Sequence, residues 1–154
     1  MNYENLQVNT QKGMAQMLGK TFVQVTGSVG YDEMTFVTAD GQRFMFAHMQ
    51  DCCESVRIND IVGDLQDLVG SPLLQAEEVS GVTPVEFDET EHDSVTWTFY
   101  KFATCKGYVD VRWLGESNGY YSEGVDLFVE GVVVPGEHQP ALGDLLRAKM
   151  YTLT

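Results

Sequence analysis

Two apolar runs flanking Asp40-Gly41 constrain this chain more than any other feature. Met34-Thr35-Phe36-Val37-Thr38 precedes the dipeptide, and Arg43-Phe44-Met45-Phe46-Ala47-His48 follows it. Asp-Gly between two such runs marks a β-hairpin, because a type I′ turn needs positive φ at both central residues. Side chains alternate across a strand, so Phe44, Phe46 and His48 are expected on one face, with Met45, Ala47 and Met49 on the other.

The rest of the chain supplies partners for that hairpin. Phe22–Thr26 reads as a strand stopped by Gly27 and Gly30. Ser55–Ile58 reads as a short strand, and Leu73–Val79 as another. Between them, Asp60–Gly70 reads as a short central helix. Ile61, Leu65, Leu68 and Val69 recur there at three- and four-residue spacing, and Gly70 and Pro72 end it. A second hairpin joins Val95–Phe99 to Tyr108–Trp113 across Thr104–Gly107, with Val95, Trp97, Phe99, Val109, Val111 and Trp113 expected inward. Asp110 and Arg112 are expected outward. Val125–Val129 alternates again. Residues 139–151 read as a C-terminal amphipathic helix with Pro140 in its first turn and a stripe of Leu142, Leu145, Leu146 and Met150. That stripe must bury itself on the domain's own sheet or on a partner, and a homodimer stays open. Residues 1–17 read as a polar N-terminal arm, or a short helix near Gln11–Leu18, and residues 18–154 as one domain. The expected fold class is α+β: mostly antiparallel β-sheet built from hairpins, with a short central helix and the C-terminal helix.

Charge narrows the function. Nine Lys and Arg against 23 Asp and Glu leave −14. Such a surface repels phosphate backbones, so direct nucleic-acid binding is disfavoured, whereas docking on a basic protein surface is favoured. Solvation alone is the alternative use of that charge. Glu86, Asp88, Glu89, Glu91 and Asp93 place five carboxylates in eight positions. This run reads as an extended, solvated loop and as the acidic partner surface. The longest apolar runs, such as Gly131–Val134, are far too short to cross a bilayer. Three cysteines, two of them adjacent, with no secretory h-region ahead of them, suit a reduced, cytoplasmic protein. A bond between neighbouring Cys52 and Cys53 asks for unusual geometry, and none is expected.

The chemically richest stretch follows the first hairpin. His48, Gln50, Asp51, Cys52, Cys53 and Glu54 crowd an imidazole, an amide, two carboxylates and two thiols into seven positions. Zinc is the metal such ligands suit. Zinc-finger spacing is missing, however, and on an extended strand His48 and Cys52 lie about 13 Å apart. A cysteine nucleophile would need His48, His92 or His138 as base, and Asp51 and Glu54 oppose it by raising the thiol pKa. No G-x-S-x-G, phosphate loop, dinucleotide fingerprint or calcium-hand order is present. No catalytic residue and no cofactor are therefore expected. Binding remains, and Glu116, Asn118, Tyr120, Tyr121 and Glu123 form a Gly/Ser/Asn-rich loop with the amphipathic chemistry of recognition surfaces.

Several long words of the sequence carry a resemblance. They are His48–Val56, Gly63–Pro72, Ala76-Glu77-Glu78, Thr96–Thr104, Gly107–Trp113 and Gly115–Glu123. Over about Leu18 to Asp126 the chain resembles a family of small uncharacterised domains encoded by tailed bacteriophages and by bacteria, with the His-x-Gln-Asp-Cys-Cys-Glu motif. The resemblance implies no catalytic residue. It implies a phage-type accessory protein in the host cytoplasm that binds and inhibits or sequesters a host factor, such as an antiviral defence component (an anti-CRISPR or similar role). The alternative is a protein that binds a small ligand, a nucleotide-like signal or a metal, at a site built from His48–Glu54 and Glu116–Glu123.

Overall fold

The computed structural model describes residues 6–80 and 94–131. The C-terminal helix expected over 139–151 and the acidic run Glu86–Asp93 lie outside the described residues. Among the described residues nine strands form two antiparallel sheets: β1 Gln7–Val8, β2 Phe22–Thr26, β3 Glu33–Thr38, β4 Arg43–Ala47, β5 Ser55–Val62, β6 Gln75–Ser80, β7 Ser94–Thr104, β8 Gly107–Ser117 and β9 Asp126–Glu130. A helix, α1 (Thr10–Met17), sits between β1 and β2, where a short helix was expected. The first sheet runs β1-β9-β4-β3-β2 and the second β5-β8-β7-β6. The mostly antiparallel architecture thus holds, and the hairpins sort into two layers.

Aromatic rings hold the layers face to face. Phe22, Phe36, Phe44 and Phe46 project from the first sheet, and Tyr100, Phe102, Val109, Val111 and Trp113 from the second, all in one buried cluster. Phe36 meets Phe102 at a centroid distance of 4.9 Å, and Phe46 meets Tyr100 at 4.8 Å. Tilted and edge-on pairs of this kind add to the large area each ring buries. Met14 and Met17 of α1 are buried in the same cluster, and the helix contacts both β6 and β9.

The first hairpin forms where Asp40-Gly41 placed it, with a different turn. Only Gly41 has positive φ (88°), and its N–H bonds the Thr38 carbonyl. This is the three-residue loop in which a type I turn ends on a left-handed glycine and leaves a bulge. The Asp40 carboxylate instead takes the Thr38 hydroxyl.

Two expectations fail for physical reasons. Asp60–Val62 continue β5, with Asp60, Ile61 and Val62 opposite Arg112, Val111 and Asp110. Of the expected central helix only a 3-10 turn, Leu65–Leu68, remains, with the Asp64 side chain capping it through the Gln66 N–H. Ladder partners on β8 outbid a weak local helical pattern. Trp97, expected inward, lies on the opposite face of the second sheet from Trp113. Thr104 pairs with Gly107 across a two-residue turn, so Phe102, Tyr100 and Thr98 oppose Val109, Val111 and Trp113, while Trp97 opposes Leu114. Opposed residues share a face. Val95 and Phe99 therefore also point away from the core, and the Arg112 guanidinium lies 5.2 Å from the Trp97 ring centre.

Candidate functional site

Two crossings between the sheets meet at one end of the sandwich. Residues 48–54 carry the chain from β4 to β5, and residues 118–125 return it from β8 to β9. Ser55 opposes Glu116 in the β5–β8 ladder, which brings the two candidate loops side by side although some 60 positions separate them.

Glu54 organises the first crossing. One carboxylate oxygen accepts from the Cys52 N–H (2.8 Å) and the Gln50 side-chain amide (3.1 Å). The other accepts from the Asp51 N–H (3.0 Å) and His48 Nε2 (2.7 Å). The chain must reverse over Gln50–Cys53 to deliver these donors, and Gln50 also donates to the Glu54 carbonyl. His48 Nδ1 lies 2.7 Å from the carbonyl oxygen of Gly124 on the second crossing. His48 thus bridges the two crossings, one ring nitrogen on each. The two side chains are sealed from solvent, at 4% and 0% exposure. His48, with the backbone N–H groups of Cys52 and Asp51, pulls the Glu54 carboxyl down to about 2 against the opposing effect of burial.

The second crossing is tied as firmly. Glu123 is buried and accepts from the hydroxyls of Thr96 (2.8 Å) and Ser117. Gly115 lies directly beneath: a Cβ there would overlap the Glu123 carbonyl oxygen. Asp126, at the start of β9, accepts from the Met49 N–H (2.8 Å) and the Gln7 amide (3.1 Å). Glu54, Glu123 and Asp126 are thus spent on holding strands and loops together.

Cys52 and Cys53 differ from expectation. Both are exposed on the Glu54 turn, and their sulfurs are bonded at 2.05 Å. Chain reversal around the carboxylate, absent from an extended reading, is the local setting of that pair. Among the described residues no three His, Cys, Asp or Glu side chains converge as a metal-binding group, and a metal ion would take His48 or Glu54 only by displacing bonds just described.

Of the remaining predicted residues, Glu116, Asn118 and Tyr121 line a depression of about 290 Å³ with Cys53, Ser55 and Ser117. Tyr120 packs edge-on against Tyr121, centroids 5.0 Å apart, and stands 83% exposed. On the other side of Ser55 a larger cleft of about 470 Å³ is lined by Gly30–Glu33, Gln50 and Glu54–Arg57. Arg57 reaches Ser55 Oγ (3.0 Å) and Glu116 (3.4 Å), a partly exposed pair of small energetic weight. Sequence reasoning missed Tyr31, Asp32, Glu33 and Arg57, which enter the site through topology. It also missed Gly124, whose contribution is a carbonyl. The one available signal was the Gly27/Gly30 break, which marks a loop rich in polar side chains.

Fold and site together define an antiparallel β-sandwich with a polar groove at one end and no recognisable catalytic signature in its sequence. The chain belongs to a family described as a domain of unknown function (DUF7448), whose model matches residues 15–127. No curated protein and no solved structure matches the chain. Among the described residues no helix is long and apolar enough to cross a membrane.

Proposed function

We propose that this protein works by binding a partner protein with a basic surface, without turnover of a substrate. One observation carries the reading: His48, Glu54 and Glu123 are each engaged by hydrogen bonds inside the fold, while Tyr120 beside them faces solvent. A general base or nucleophile needs a free reactive atom within reach of substrate. A recognition surface needs a rigid support and exposed amphipathic side chains. The charge of −14 selects basic partners and accelerates their encounter. The resemblance to phage-encoded domains makes a host component the natural target and inhibition or sequestration the outcome.

The test is affinity capture from bacterial lysate with the wild type and a Tyr120→Ala/Tyr121→Ala variant of unchanged melting temperature. The proposal expects a small set of basic proteins retained by the wild type at 50 mM salt (about one third of physiological ionic strength), released on raising the salt and lost in the variant. Identical capture by both proteins would refute it, as would any enzymatic turnover that disappears in His48→Ala.

A further inference from the structure

Strand β5 is an edge of the second sheet. Its outer side is partly occupied: Ile58 donates its N–H to the Tyr31 carbonyl (2.8 Å), and the Ile58 carbonyl accepts from Gly30 (2.8 Å). In an antiparallel ladder the main-chain groups of residues two apart point to the same side. The Ser55–Ile58 segment keeps regular register with β8, the bulge falling only after Ile58. The N–H and carbonyl of Val56 therefore point outward too. No hydrogen bond from a described residue reaches either group, and Val56 lines the 470 Å³ cleft. That cleft exists because the chain beyond Tyr31 leaves β5 and turns away into β3. The result is a gap beside two unused ladder groups, which shares Ser55 with the depression at Glu116 and Tyr121.

We infer that this gap is a strand-addition site, in which an extended, lysine- or arginine-bearing segment of the partner pairs with Val56. The inference rests on the proposed binding function and specifies its mode. Strand addition takes affinity from the main chain and selectivity from alternate side chains. Here the cleft wall carries Asp32 and Glu33 beside exposed Tyr31, and the neighbouring depression carries Glu116 and Tyr121. Arg57, the one cation lining the cleft, is turned towards Ser55 and Glu116. An acidic segment would meet the Asp32 carboxylate at the cleft wall; a basic one complements it.

The probe is a capped eight-residue peptide alternating lysine and threonine, titrated into isotope-labelled full-length protein and followed by NMR. Strand addition predicts shifts centred on Tyr31, Ser55, Val56 and Arg57, and at least tenfold slower exchange of the Val56 amide at saturation. It also predicts at least tenfold weaker binding when alternate peptide nitrogens are methylated, and several-fold weaker binding to Asp32→Asn. The glutamate version of the peptide should not bind. Shifts scattered over the acidic surface, equal affinity of the methylated peptide, or unchanged Val56 exchange would overturn the inference. A partner captured through Tyr120 and Tyr121 while Val56 exchange stays unchanged would sink strand addition and leave the binding function standing.

Discussion

Replacing Gly115 with alanine is the sharpest probe of the crossing that carries Glu123. The residue has no positive φ, so the backbone tolerates a side chain and the effect is one of space alone. The new methyl group would overlap the Glu123 carbonyl oxygen and lie 2.8 Å from its Cβ and 3.0 Å from its carbonyl carbon. Two of these three atoms are backbone, so a rotamer change cannot relieve the clash. Overpacking of this kind costs about 1–3 kcal/mol. Displacing Glu123 also strains its bonds from Thr96 and Ser117, each worth about 1 kcal/mol. The expected loss is about 3 kcal/mol or more, which at this chain length lowers the melting temperature by roughly 6–12 °C. Gly124→Ala is the matched control: nothing lies within 4 Å of its would-be Cβ, and its φ is not positive either. Urea titrations following the buried Trp113 should separate the two variants clearly. If Gly115→Ala unfolds within about 0.5 kcal/mol of Gly124→Ala, inside the usual scatter of surface substitutions, the close packing of this crossing is not what holds the site.

Other consequences follow from the same geometry. The depressed Glu54 carboxyl contributes stability that is full above its ordinary value of 4.5 and is lost as pH falls towards about 2; acid titration by circular dichroism should show this limb, and Glu54→Gln should flatten it. Glu78 has the opposite sign, since burial and the nearby Asp126 raise its pKa, so its ionised form weakens the fold at neutral pH. Glu78→Gln should therefore melt higher than the wild type at pH 7, with the difference shrinking below its ordinary pKa, as calorimetry would reveal. Phe46→Ala removes a fully buried ring that touches Phe36, Tyr100 and Phe102, and should cost about 3–5 kcal/mol in chemical denaturation.

Much of the sheet was legible because strands announce themselves locally. Phe22–Thr26, the Asp40-Gly41 hairpin, and the face shared by Phe44 and Phe46 all rest on short-range alternation and turn chemistry. Division into two sheets was not legible, since β9 inserting between β1 and β4 joins residues far apart in sequence. The orientation of Trp97 was readable in principle. A two-residue turn at Cys105-Lys106 makes odd-numbered residues of one strand face even-numbered residues of the other, so Trp97 and Trp113 cannot share a face. The choice of large apolar residues on both strands hid that constraint. At the site, residue types singled out His48–Glu54 and Glu116–Glu123, and the β5–β8 register brings them together. What composition could not show is that Glu54 is saturated from within, because a backbone N–H carries no sequence signature.

The placement of β9 also dictates an order of assembly. While the chain is being synthesised, the β7–β8 hairpin needs only neighbouring residues and can pair as soon as it emerges. The other layer cannot close so early: until Asp126–Glu130 arrive, β1 has no strand to lie against and β4 presents a bare edge. A nascent or prematurely terminated chain ending before Asp126 would thus expose a pairing edge beside buried phenylalanines, a form prone to self-association.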